Sequence, residues 1–198
     1  MTDYLKLTKK YIKDKRLEHS ISTANMMREH AAEFQIDPQK AYISGLVHDV
    51  ARGLNERKML KYALSFIERK IIKVKNLGFK LKHPMLLHGV ASAEIIFIKF
   101  GITQKEILES ACTHTLGGKK LSPLAQYTFM ADYCEPLRNN ATSKKIYRIL
   151  IEQKKFQQAY FYTYYYMIQY LLKKKKTLSI ESIRGYNEAL LNLQHRNN

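Results

Sequence analysis

Residues 41–47, Ala-Tyr-Ile-Ser-Gly-Leu-Val, carry no charge and run directly into His48-Asp49. A helix with no charged face cannot lie on a surface, so the remainder of the chain has to pack around this one. Its start is marked by Asp37-Pro38, a capping side chain followed by proline at the first helical position. A buried helix rarely ends in an imidazole beside a carboxylate unless both groups are satisfied. Either the two residues bond to each other, or a divalent cation takes both. Imidazole nitrogen and carboxylate oxygen are suitable ligands for zinc, iron or manganese.

The segments around it read as further helices. Residues 4–14 have the spacing of a short amphipathic lead helix. Arg16-Leu-Glu-His19 then opens a longer one, with Leu17, Ile21, Ala24, Met27, Ala31 and Phe34 on a single stripe; Arg16 and His19 share a face. After a break at Gly53, Asn55 caps a helix to about Ile67. Residues 68–82 are lysine-rich and predict a loop. His83 reads as a surface residue, whereas His88 falls near the N-terminus of a helix over 90–100, where free amides and the helix dipole favour an anion. Gly101 ends that helix. Thr103 is expected to cap the next, which closes at His114-Thr115.

Gly117-Gly118 is a turn rather than a phosphate loop, because no strand precedes it and no Gly-Lys-Ser or Gly-Lys-Thr follows. Ser122-Pro123 starts a helix that places Asp132 among apolar residues, costly unless the carboxylate is paired or metal-bound. Glu135-Pro136 stops it and Arg138 follows in the exit loop. From Ser143 one helix is expected to continue into the aromatic run 160–172. That run is too short for a bilayer and reads as a core helix rather than a base-stacking platform. Lys173–Lys176 complement its C-terminus, and a final helix covers 180–193, leaving His195 in a fraying tail. No stretch alternates in the manner of a strand. The expectation is an all-α bundle in a single domain over 1–198, with a core at about 16–140 and C-terminal helices at about 143–194 packed on it.

The formal net charge of +17, from 34 Lys and Arg against 17 Asp and Glu, favours polyanionic partners such as nucleotides, nucleic acid or an anionic membrane surface, and equally fits a lysine-rich compositional bias. Cys112 and Cys134 lack CxxC spacing and read as small core residues of a reduced protein. No apolar leader opens the chain, so a cytoplasmic location is expected.

Arg16, His19, His48, Asp49, His88, His114 and Asp132 are each placed at a helix end or on an inward face. The pattern His…His-Asp…Asp on an all-helical scaffold resembles the HD-domain metal-dependent phosphohydrolases. More narrowly, Arg16-Leu-Glu-His19, His48-Asp49-Val-Ala-Arg52, Leu86-Leu-His88-Gly89, His114-Thr115 and Ala131-Asp132-Tyr-Cys-Glu135-Pro136-Leu-Arg138 resemble the YqeK-type symmetrical hydrolases, which cut diadenosine tetraphosphate into two ADP. The resemblance implies that His19, His48, Asp49 and Asp132 hold one metal ion, iron first, with manganese or cobalt as substitutes. It further implies that Arg16, Arg52, His88, His114, Thr115 and Arg138 face the nucleotide phosphates, with His48 and Asp49 catalytic through the metal and His114 the proton donor. The expected partner is a dinucleoside polyphosphate, with no stable nucleic-acid or membrane partner, in a monomer or homodimer. Two rivals stand beside it: a binuclear site in which His88 and His114 bind a second ion, and a basic nucleic-acid-binding module in which the His-Asp cluster is structural.

Overall fold

The structure, a computed structural model, describes residues 3–195. It consists of helices joined by turns, with no strand among the described residues. The helices are α1 (Tyr4–Thr8), α2 (Asp14–His30), α3 (Pro38–Val47), α4 (Glu56–Arg69), α5 (Leu77–Lys82), α6 (His88–Phe100), α7 (Lys105–Thr113), α8 (Pro123–Cys134), α9 (Ala141–Tyr147), α10 (Phe156–Lys173) and α11 (Ile180–His195).

Helix α3 is the axis of the bundle. Asp37 caps it by accepting from the Lys40 amide, Pro38 takes the first position, and Ala41 and Ile43–Val47 are buried against α1, α2, α7 and α8. Contact between α2 and α3 is close enough to require glycine at position 45: a Cβ there would lie 2.7 Å from Ala24 Cα. A second close approach joins α6 to α7, where a Cβ on Gly89 would lie 2.5 Å from the Ala111 carbonyl oxygen. These two crossings set the positions of the helix ends that carry His48, His88 and His114. Helix α4 covers α6, and α10 packs on α8 while also carrying α11. Cys112 and Cys134 are buried, unpaired core residues, as expected.

Five local expectations are corrected. The lead helix ends at Thr8 rather than 14, because the chain turns at residues 9–11. Residues 68–82 are not wholly loop: Asn76 takes a left-handed conformation (φ 55°) and starts α5, whose Leu77 packs on the core while Lys80 is buried, a pattern hidden by the surrounding lysines. Thr103 does not cap α7; Gln104 occupies that position without a side-chain hydrogen bond. The helix expected from Ser143 through the aromatic run is two helices, α9 extended by a π-turn over Arg148–Glu152 and then α10, separated where Lys154 adopts a positive φ of 56°. Within α10 the aromatic residues divide. Tyr160 and Tyr164 are in the core and Tyr170 is exposed. His195 is the last residue of α11 rather than part of a frayed tail.

Candidate active site

Three of the central histidines are oriented by one device. An α-helix leaves its last carbonyls without intrahelical partners, and an imidazole at the C-cap can donate to one of them. His48, the C-cap of α3, donates from Nδ1 to the Gly45 carbonyl at 2.7 Å, and His114, the C-cap of α7, does the same to Ala111 at 2.8 Å. His88 follows a 3-10 turn and places Nδ1 at 2.5 Å from the Met85 carbonyl, again three residues back. On His48 and His114 a proton held on Nδ1 leaves Nε2 with its lone pair free; His88 and His114 line one cleft, and His48 is buried beside them. Arg52 Nη1 lies 2.8 Å from His88 Nδ1 and 3.3 Å from Met85 O, so the guanidinium shares that carbonyl.

His19 arrives from α2 and is oriented by a carboxylate. Its Nδ1 lies 3.1 Å from Glu135 Oε1, and its Nε2 lies 3.1 Å from Asp132 Oδ1. Glu135 is itself buried and accepts from the Leu137 amide at 2.8 Å. His48 Nε2 stands 3.9 Å from the same Asp132 oxygen. Asp49, next to it, turns the other way: Oδ1 is 3.1 Å from His88 Nε2 and 3.6 Å from His114 Nε2, while Oδ2 is 3.6 Å from Arg16.

The result is two overlapping donor groups, each with its atoms within 4.8 Å of one another: His19, His48 and Asp132, and His48, Asp49 and His114. His48 belongs to both. The four residues anticipated as one ligand set are therefore neighbours, but they do not form a single mutual group, because Asp49 is drawn toward His88 and His114. Two facts fit a cation. His48 Nε2 is buried and makes no hydrogen bond, while His19 Nε2 faces the Asp132 carboxylate at 3.1 Å, and two imidazoles plus carboxylates are a suitable donor set for a first-row transition metal. In addition, His88 Nε2 and His114 Nε2 are only 2.9 Å apart. Two lone pairs at that distance require a proton or a cation between them.

The cleft has a volume of about 420 Å³ and also presents Lys15, Arg16, Arg52, Thr115 and Arg138. Thr115 Oγ1 is buried and unpartnered beside it. Arg138 is less free than its expected phosphate role implies, since it donates to Asp132 Oδ1 at 2.7 Å and to the Asp132 carbonyl at 3.0 Å.

The electrostatics follow from this packing. Burial drives His48 down to about 4, helped by His114. His88 is likewise lowered by burial, against the pull of Asp49. Burial would also lower His19, but hydrogen bonds to Asp132 and Glu135 outweigh it and raise the group to about 9. Burial would raise both aspartates, yet the imidazoles around them win and hold Asp49 and Asp132 below the usual carboxylate range. Ionised carboxylates and neutral imidazoles are the forms that bind metal; His19 has to give up a proton first.

Sequence reasoning missed Glu135, which read only as a helix stop, and Lys15. An acidic residue three positions after Asp132 was the available signal for Glu135, because that spacing shares a helix face.

Residues 16–137 match the family described as HD domain. The chain belongs to the HD-domain family. Among relatives, this HD-domain chain is 26% identical over 187 residues to a Halalkalibacterium halodurans protein named symmetrical bis(5'-nucleosyl)-tetraphosphatase, covering 94% of this chain and 95% of that protein. A Staphylococcus aureus protein of the same name is 25% identical, covering 92% of each. A solved structure from Clostridium acetobutylicum, described as a predicted HD superfamily hydrolase involved in NAD metabolism, superposes with a TM-score of 0.84 at 24% identity, covering 97% of this chain and 99% of that one. Its likeness supports the all-α fold.

Proposed function

We propose that this chain is a metal-dependent phosphoric anhydride hydrolase that splits diadenosine tetraphosphate symmetrically into two ADP. The observation that carries the reading is the convergence of the buried Nε2 atoms of His19 and His48 on the Asp132 carboxylate, at the base of a cleft rimmed by arginines. The names of the relatives that span nearly the whole chain support the substrate.

In this reading His19, His48, Asp49 and Asp132 hold the ion. Iron is the native metal we propose, with manganese or cobalt able to replace it. When bound, the metal supplies Lewis acidity, which makes water nucleophilic near neutral pH and polarises a phosphoryl oxygen. The chain's own residues bind and orient the substrate. Arg16 and Arg52 neutralise the polyphosphate, and the unpartnered Thr115 hydroxyl donates to a phosphate oxygen. Arg138 holds Asp132 in place and presents its outer face to the substrate. His114 faces the cleft through Nε2 and is the group placed, once that nitrogen has taken up a proton released from the attacking water, to give it to the departing ADP. One chain-long domain, a cytoplasmic location and a monomer or homodimer complete the reading. No helix among the described residues is long and apolar enough to cross a membrane.

The test is to incubate the purified protein with iron or manganese and a panel of dinucleoside polyphosphates and identify the products. Two ADP from diadenosine tetraphosphate is the expected outcome; ATP plus AMP would overturn the symmetrical assignment. His48→Ala and Asp49→Ala should each lose bound metal and hydrolysis together. Full activity in either variant would sink the site.

A second reading is favoured by one observation, the 2.9 Å approach of His88 Nε2 to His114 Nε2 beside Asp49. His88, His114 and Asp49 would hold a second ion there. Metal counting per chain separates one ion from two.

A further inference from the structure

Beyond the turn that follows His114, residues 73–76, the turn 117–120 and the first turns of α11 line a groove of about 430 Å³. Lys73, Lys75, Lys119, Lys120 and Arg184, all exposed, contribute five cations to it. Lys75 Nζ donates to the Lys119 carbonyl at 2.8 Å and so ties the two sides together. A narrower cavity of about 40 Å³ adjoins the groove through Lys73, Val74, Lys75 and Glu181, and is lined further in by Lys80 and Cys112.

Lys80 is the anomaly. It is 4% exposed, yet among the described residues it has no carboxylate within salt-bridge distance. A buried ammonium without a counter-ion is costly, and burial accordingly pushes its pKa down. Its neighbours do not supply the missing charge. Burial drives the Cys112 thiol up to about 12, so it is neutral. Glu109 and Glu181 line the same cavity, but neither lies within salt-bridge distance of Lys80, and Glu181 is paired with Arg184 at 2.7 Å. The side chain thus lines a cavity at the inner end of a cationic groove with no carboxylate in contact with it.

We propose that this groove is a second anion site, distinct from the His-Asp cleft, and that it takes the phosphate chain of a polyphosphate-bearing small molecule with one end reaching Lys80. A lone phosphate needs about two cations to match its charge. Five at the rim, of which Arg184 is offset by its partner Glu181, and one within still exceed what a lone phosphate needs and match a chain of several phosphates. The site is independent of whether the cleft hydrolyses dinucleotides.

Equilibrium dialysis with inorganic tripolyphosphate, in chelator and at physiological ionic strength, tests it. The full-length Arg16→Ala/Arg52→Ala protein, its cleft arginines removed, should still bind tripolyphosphate at one per chain. Adding Lys80→Met should weaken that binding at least tenfold. So should adding Lys119→Ala/Arg184→Ala, a surface pair whose loss spares the core, which keeps the test decisive if Lys80→Met does not fold. No binding to the cleft variant, or unchanged binding after the surface pair is replaced, would overturn the site. Orthophosphate binding as tightly as tripolyphosphate would overturn the assignment of a phosphate chain.

Discussion

Each residue at the centre of the cleft is held by a partner of its own, and the identity of that partner decides its behaviour. Backbone carbonyls hold His48 and His114, whereas a carboxylate, Glu135, holds His19. An ionised carboxylate raises the basicity of the imidazole and fixes its tautomer, as in the carboxylate–histidine–metal arrangement. Glu135→Gln should therefore lower metal affinity by about 10- to 100-fold. Competition against a chelator of known affinity measures it, and unchanged affinity would remove Glu135 from the site. His19 also sets a pH dependence. Its folded pKa, about 9, lies above its ordinary value of 6.5. Its contribution to the stability of the chelated protein is thus complete below pH 6.5 and is lost as the pH rises through 9. Metal binding at pH 7 should release close to one proton from this group. Calorimetry in two buffers of different ionisation enthalpy reads that proton directly, and no difference between the buffers would contradict the assignment.

At the scale of the elements, two glycines decide where the functional helix ends meet. Gly45 lets α3 approach α2, and Gly89 lets α6 approach α7. In both cases the added methyl would meet backbone, which cannot rotate away. Gly45→Ala should destabilise the protein by about 1–3 kcal/mol, the usual cost of overpacking, with a reduced denaturant midpoint. Gly89→Ala pushes His88 away from His114 and should reduce turnover more than stability. A variant with wild-type kinetics would show that the 2.9 Å approach of those imidazoles is dispensable. Helix starts were legible because their chemistry is local: Asp37, Asn55 and Ser122 each accept a hydrogen bond from the amide three residues on, as their residue types predict. Thr103 has the right residue type and does not cap, and the start of α5 at a left-handed Asn76 has no such local signature.

For the whole molecule, a net charge of +17 surrounds a cleft whose expected substrate carries several negative charges. Association should be steered electrostatically, so KM for the tetraphosphate should rise with ionic strength while kcat changes little. Insensitivity of KM between low and physiological salt would mean that the excess charge does not serve the cleft. How far these properties could be read in advance depends on their range along the chain. The all-α class, the helix capped at Asp37-Pro38 and the placement of His48, His88, His114 and Asp132 at helix ends or inward faces followed from the sequence, because apolar periodicity and capping are encoded within a few residues of where they act. The role of Glu135, the turning of Asp49 toward His88 rather than His19, the pairing of Arg138 with Asp132 and the isolation of Lys80 were decided only in the folded chain. Each depends on groups from separate helices meeting at distances of a few ångströms, and burial and charge pairing exist only once those helices have packed.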